Sequence, residues 1–224
     1  MRLDYCTFTG VDEQTSLKDI EDISSVFVAA EWGFLWSHAG KENPRYPSFE
    51  FITTALTDLP SNVNCSLHFC GRSVENLLKG EVTETILLNL MSKRRGRVQL
   101  NFSEVDLGAL REILDKFPNI GFITQHNTLT ENLWHHFAGL NNYSILFDEG
   151  VPQKSWPKPF PEVYCGYAGG INPDNIEQNL EQITETIGNQ NFWIDIETGV
   201  RNPETNLLDL SACQKCLELS QSYS

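Results

Sequence analysis

Apolar runs rich in Val, Ile, Phe and Tyr recur about every 25 to 30 residues along this 224-residue chain, separated by amphipathic helical patterns. The runs are 3–9, 28–36, 65–70, 97–102, 120–125, 143–147, 163–168 and 192–196. Leu17, Ile20 and Ile23 share a helix face after Ser16, and Phe49, Ile52, Ala55 and Leu56 share one after Ser48. Helical patterns also run through Leu78, Leu87 and Leu90, through Leu107–Leu114, through Leu129, Leu133 and Phe137, over 173–187 and over 210–219. One connection breaks the rhythm. The segment 151–162, VPQKSWPKPFPE, holds four prolines and cannot be helical. Eight strand-like runs joined by short helical crossovers require parallel strands with right-handed connections. In 224 residues this predicts an α/β (β/α)8 TIM barrel, a single domain over 1–224 with the helix between strands 6 and 7 replaced by the Pro-rich loop. An open doubly wound sheet is the alternative, but no Gly-rich dinucleotide fingerprint follows the first run.

Composition narrows the function classes. Thirty acidic against 16 basic side chains give a net charge of −14, so a nucleic-acid partner, which needs clustered Lys and Arg, is not expected. No run of about 18 apolar residues predicts a membrane partner or span. The first residues lack the basic and long apolar regions of a secretory signal, and six scattered cysteines do not form a disulfide framework. A cytoplasmic protein with free thiols is the expectation.

In a barrel of this kind the chemistry sits at the carboxyl ends of the strands. Those positions carry Cys6, Thr7 and Thr9; Glu31 and Trp36; His68, Cys70 and Arg72; Gln99 and Asn101. The later strands add Gln125, His126 and Asn127; Asp148 and Glu149; Tyr167, Gly169 and Gly170; and Asp195, Glu197, Thr198 and Gly199. Helix caps account for about half of this polarity and a polar pocket for the rest. Asp148 and Asp195 are acid–base candidates, and His68, Arg72 and Gln99 are candidates for holding a ligand. His68 and Cys70 share a strand face but find no third convergent ligand, so no metal is expected, and no cofactor motif occurs.

The sharpest local signal is AGGINPDN, residues 168–175. Gly169 and Gly170 allow close approach of backbone N–H groups to an anion, and Asn172 suits a helix N-cap before Pro173. Such a loop binds phosphate, and Thr198-Gly199 after the eighth run supplies the matching hydroxyl and unobstructed backbone. Because the −14 surface repels a phosphorylated ligand, the attraction must come from local amides and a few arginines.

These motifs carry a resemblance. CGYAGGINPDNIEQNL and WIDIETGVRNPETNLLDL resemble the C-terminal third of phosphoribosylanthranilate isomerases, members of the ribulose-phosphate-binding barrel group. That family has a Gly-Gly-(Leu/Ile)-x-Pro-x-Asn phosphate loop, matched by Gly169, Gly170, Pro173 and Asn175, and a final strand end Asp-x-Ser-Ser-Gly-Val-Glu. Here Asp195, Gly199 and Val200 match the latter, while Glu197-Thr198 replaces Ser-Ser and Arg201 replaces Glu. DYCTFTG is similar to the family's first strand and implies Cys6 as catalytic base, although a register set by Thr7–Gly10 turns Cys6 the other way. Asn43–Tyr46 is similar to the loop whose Arg receives the substrate carboxylate, which implies that role for Arg45. The family's general acid is an Asp at the end of the fifth strand; Gln125-His126-Asn127 stands here, leaving His126 as the titratable candidate. A bacterial group similar to these isomerases carries Thr-Phe-Thr-Gly and Glu-Trp-Gly motifs, present as Thr7–Gly10 and Glu31–Gly33. The resemblance implies an isomerase or epimerase acting by proton transfer on a small phosphorylated metabolite. A barrel that binds such a ligand without turning it over is the other reading. The oligomeric state is not legible.

Overall fold

A computed structural model describes residues 2–39, 42–148, 155–160 and 163–224. Eight parallel strands close into a barrel in chain order: β1 (Leu3–Thr9), β2 (Ala30–Trp36), β3 (Asn64–Cys70), β4 (Arg97–Asn101), β5 (Gly121–His126), β6 (Tyr143–Phe147), β7 (Tyr164–Ala168) and β8 (Phe192–Ile196). The ring closes through β1 on β8, with Thr7 opposite Asp195. The helices are α1 (Leu17–Val26), α2 (Phe49–Asp58), α3 (Arg72–Leu78), α4 (Val82–Arg94), α5 (Leu107–Lys116), α6 (Ile176–Ile187) and α7 (Leu210–Ser220). Side-chain oxygens of Ser16, Ser48, Asp106 and Asp209 accept from amides of the first turn of α1, α2, α5 and α7. None of the helices in the described residues is long and apolar enough to cross a membrane.

Three connections differ from the sequence pattern. The helical region through Leu78 and Leu90 is two helices, broken where Gly80 takes φ +75°. Between β5 and β6 the expected helix is only a 3-10 turn, Leu133–His136, because Trp134 stacks on Phe160 and Phe137 packs on Tyr143 across an irregular loop. Between β6 and β7, residues 155–160 carry no helix; 149–154 and 161–162, with half of the proline run, lie outside the described residues.

Alternation along each strand divides the core in two. One set of side chains, including Cys6, Phe8, Trp32, Phe34, Phe69, Phe122 and Ile194, packs between barrel and helices. The other points down the barrel axis, where Ile123, Leu146, Ala168 and Trp193 form a separate apolar cluster joined by Tyr5 and Tyr164. The Trp193 ring fills the space beside Gly166, where a Cβ would come within 2.0 Å of it. Beside this plug lies a buried polar cluster: Arg97 Nε donates to Glu31 Oε1 at 2.8 Å, and Thr7 Oγ1 donates to Glu31 Oε2 at 2.7 Å. The Arg97 guanidinium carbon sits 4.3 Å from the Tyr5 ring centroid and 4.7 Å from that of Trp193, a cation–π sandwich.

Candidate functional site

A cavity of about 240 Å³ opens at the carboxyl ends of the strands, above the Trp193 plug. Its floor and walls come from the inward positions of six strands: Thr9, His68, Gln99, Gln125, Ala168 and Asp195. Two loops close one side. After β7, Gly169 (φ +134°) and Gly170 (φ +68°) take a path L side chains rarely adopt. After β8, Thr198 and Gly199 pack against that loop so tightly that a Cβ at Gly199 would lie 2.0 Å from the Ile171 carbonyl oxygen. Among the described residues, the amides of Gly169, Gly170, Thr198 and Gly199 donate to no protein acceptor, so four N–H groups border the cavity. That is the electrostatics of an anion site.

Asn172 behaves differently from its expected role. Its Oδ1 accepts from the Asp174 amide and its own amide donates to Asn175 Oδ1, both at 2.9 Å, while Asn175 Nδ2 holds the Gly170 carbonyl at 2.9 Å. The two asparagines close a turn of their own, and the regular helix starts only at Ile176. Asn172 therefore shapes the loop and does not line the cavity.

Asp195 is the most perturbed carboxyl. It is 8% exposed and accepts from Thr9 Oγ1 at 2.6 Å. Burial, partly offset by the Thr9 hydrogen bond and reinforced by the charges of Glu197 and Asp148, raises its pKa to about 8. The group is thus a carboxylic acid at neutral pH. Asp148 lines the opposite wall and accepts from Gln125 Nε2 at 2.9 Å. His68 is buried, and burial together with the Arg97 charge drops its pKa to about 3, so the imidazole is neutral; its Nε2 bonds Ser66 Oγ at 3.1 Å. Gln99 Nε2 donates to Asn101 Oδ1 at 2.9 Å, while its buried Oε1 accepts nothing among the described residues.

Arg45 reaches the rim from the loop after β2. Its Nη1 donates to Glu197 Oε1 at 2.6 Å, and its Nε and Nη2 each donate to Asn206 Oδ1 at 3.2 Å. A second cavity of about 530 Å³ lies beside the first, beneath the loops after β1 and β2, with Asn43, Pro44 and Tyr46 in its wall.

Besides Asn172, three expected site residues fall elsewhere. Cys6 is wholly buried on the outward face of β1, and burial, then the Cys216 and Cys213 thiols, push its pKa well up. The strand register set by Thr7 and Thr9 prevails because those hydroxyls bond Glu31 and Asp195 inside the barrel. His126 also points outward, edge-on to Phe147 and Phe160 at 5.2 and 5.0 Å between ring centroids. Gln125 holds the inward position at the end of β5. Arg72 opens α3 as an exposed residue outside the cavity lining. Thr9, Asn101, Gln125 and Glu197 join the site from the strand ends, each two residues beyond another inward position: Thr7, Gln99, Ile123 and Asp195.

No protein-family model and no curated protein matches the chain. Among solved structures it is similar to phosphoribosylanthranilate isomerase from Thermotoga maritima, at TM-score 0.63 and 19% identity over 97% of this chain and 99% of that one. The enzyme from Thermus thermophilus gives TM-score 0.61 and 17% identity, covering 98% and 100%. A phosphoribosylanthranilate isomerase in complex with reduced 1-(o-carboxyphenylamino)-1-deoxyribulose 5-phosphate gives 0.63 and 18%, covering 98% and 100%. From end to end, then, this chain has the barrel fold of the phosphoribosylanthranilate isomerases.

Proposed function

We propose that the barrel binds a small phosphorylated, sugar-derived ligand and moves a proton on it as an isomerase or epimerase does. One observation carries the reading: four backbone amides without protein acceptors and a buried, neutral carboxylic acid share a cavity of about 240 Å³. The phosphorylated ligand bound by a structural neighbour lends support. Phosphate sits at Gly169–Gly170 and Thr198–Gly199, which leaves the sugar between Asp195 and Asp148. Asp195 holds a proton at neutral pH and serves as general acid toward the ring oxygen as the C1–O bond breaks. Opening leaves C1 doubly bonded to its oxygen or nitrogen. The Asp148 carboxylate takes the proton from C2, the C–H pair forms a C1=C2 bond, and the C1=O or C1=N pair moves onto the heteroatom to give an enediol or enaminol. Asp148 returns the proton to C1 as the C2 hydroxyl gives its own to Asp195, now a carboxylate, which leaves C2 as a ketone. Neutral His68 and Gln99 orient hydroxyls and carry no charge into the reaction. This division between two carboxyls, one kept protonated by its surroundings, is how one site serves both acid and base steps. The chemistry fits a single catalytic unit over 1–224 in a cytoplasmic setting.

Calorimetric titration with inorganic phosphate and ribose 5-phosphate tests the reading. Both are expected to bind wild-type protein, and Gly170→Asp, which puts a carboxylate beside the amides, is expected to abolish both. Absence of binding, or binding indifferent to Gly170→Asp, overturns it.

A further inference from the structure

Arg45 is the only Lys or Arg lining the cavity among the described residues, and it is already occupied. Nη1 meets the Glu197 carboxylate, and Nε and Nη2 meet Asn206 Oδ1. Asn206 Nδ2 in turn donates to Asn43 Oδ1 at 3.0 Å, so the loops after β2 and β8 are tied together across the rim. The adjoining cavity of about 530 Å³ offers a second anion nothing better. Asp12, Glu13, Glu42 and Glu50 line it, and no Lys or Arg does among the described residues. Asp12 and Glu13 accept from the Leu208 and Ser48 amides, but both remain acceptors. On the opposite side, Gln99 and Gln125 line the cavity, and the buried Gln99 Oε1 accepts no hydrogen bond among the described residues. Oxygens along such a lining accept from a ligand hydroxyl or amine and disfavour a carboxylate.

We infer that Glu197 sets the substrate class: it fills the Arg45 guanidinium with an internal carboxylate, so the ligand bears phosphate as its only anionic group and offers hydroxyl or amine donors to the rest of the cavity. The inference rests on the phosphate reading above and sharpens it. A ligand with a carboxylate opposite its phosphate would have to displace Glu197 from Arg45 or bind beside the Glu197 carboxylate. Repulsion among like charges in a partly enclosed cavity disfavours that arrangement. The same residue thereby separates this site from one that accepts a carboxyphenyl group, as the ligand of the structural neighbour carries.

Three six-carbon probes decide the matter: glucosamine 6-phosphate, glucose 6-phosphate and 6-phosphogluconate, titrated calorimetrically beside inorganic phosphate. Wild-type protein is expected to bind the first two more tightly than 6-phosphogluconate by about tenfold or more, the scale of one charge-assisted hydrogen bond. Glu197→Gln, which keeps the shape of a half-exposed side chain and releases Arg45, is expected to bring 6-phosphogluconate up by about tenfold while leaving inorganic phosphate unchanged. Equal wild-type affinity for all three sugar phosphates, or an unchanged preference in Glu197→Gln, overturns the inference with the phosphate reading intact. If neither inorganic phosphate nor any ester binds, both fall. Should Glu197→Gln fail to fold by circular dichroism, the wild-type ratio decides alone.

Discussion

The barrel interior contains two polar clusters that share strands and little else. Deep in the barrel, Thr7, Glu31 and Arg97 bond one another, with Arg97 Nη1 left without a partner among the described residues and the guanidinium held between Tyr5 and Trp193. Two residues further along the same strands, Thr9 and Gln99 open onto the cavity, where burial keeps Asp195 protonated and Gln99 Oε1 accepts nothing among the described residues. The Glu31–Arg97 pair shows that a buried carboxylate in this barrel can be matched by an arginine; the Asp195 carboxyl is not. A polar group left unmatched at the open end is where a ligand can bind, and a matched one at the closed end holds the strands in register.

The largest effect should come from the closed cluster. Arg97→Met leaves the Glu31 carboxylate buried without its partner and is expected to cost about 3–5 kcal/mol in urea unfolding. The double variant Glu31→Leu with Arg97→Met should recover much of that loss. A small loss in the single variant would erase the distinction drawn between the clusters.

Next in size is the pH response of the open cluster. The folded pKa of Asp195, about 8, lies above its ordinary value of 3.8, so between those values the native state holds a proton that the unfolded chain has released. Its contribution is therefore complete below about pH 4 and is lost as pH rises toward 8. Asp195→Asn should remove this decline and melt higher than wild type at pH 8.5. It should also abolish proton transfer while phosphate still binds. A wild-type stability profile identical to that of Asp195→Asn would show that Asp195 is ionised.

The smallest effect sharpens the contrast from outside the barrel. Cys6→Ala is expected to cost about 1 kcal/mol through lost packing against α7 and to leave ligand binding and turnover unchanged. Loss of turnover in a folded Cys6→Ala protein would return the thiol to the site.

Legibility followed the physics of each feature. The glycine loops after β7 and β8 were visible because glycine pairs, caps and helix starts are local, and four of the five residues expected there border one cavity. Cys6 and His126 were misplaced for a shared reason. At a strand end, neighbouring residues point to opposite sides, and a one-residue ambiguity exchanges cavity for core. Thr7 and Thr9 carry the polarity that settles β1, but only their partners on β2 and β8, Glu31 and Asp195, reveal it. The Leu129–Phe137 pattern has helical spacing, yet stacking of Trp134 on Phe160 from a distant loop prevails.

By itself the sequence determined the strand order, the barrel and the place of the two glycine loops, since hydrophobic period, crossover handedness and glycine-and-cap chemistry act over short stretches of chain. Only the tertiary structure decided which carboxyl keeps its proton, which thiol is core and which acid occupies Arg45. Each of those depends on partners as far apart in sequence as Thr9 and Asp195 or Arg45 and Glu197, and burial and charge pairing are properties of the closed barrel alone.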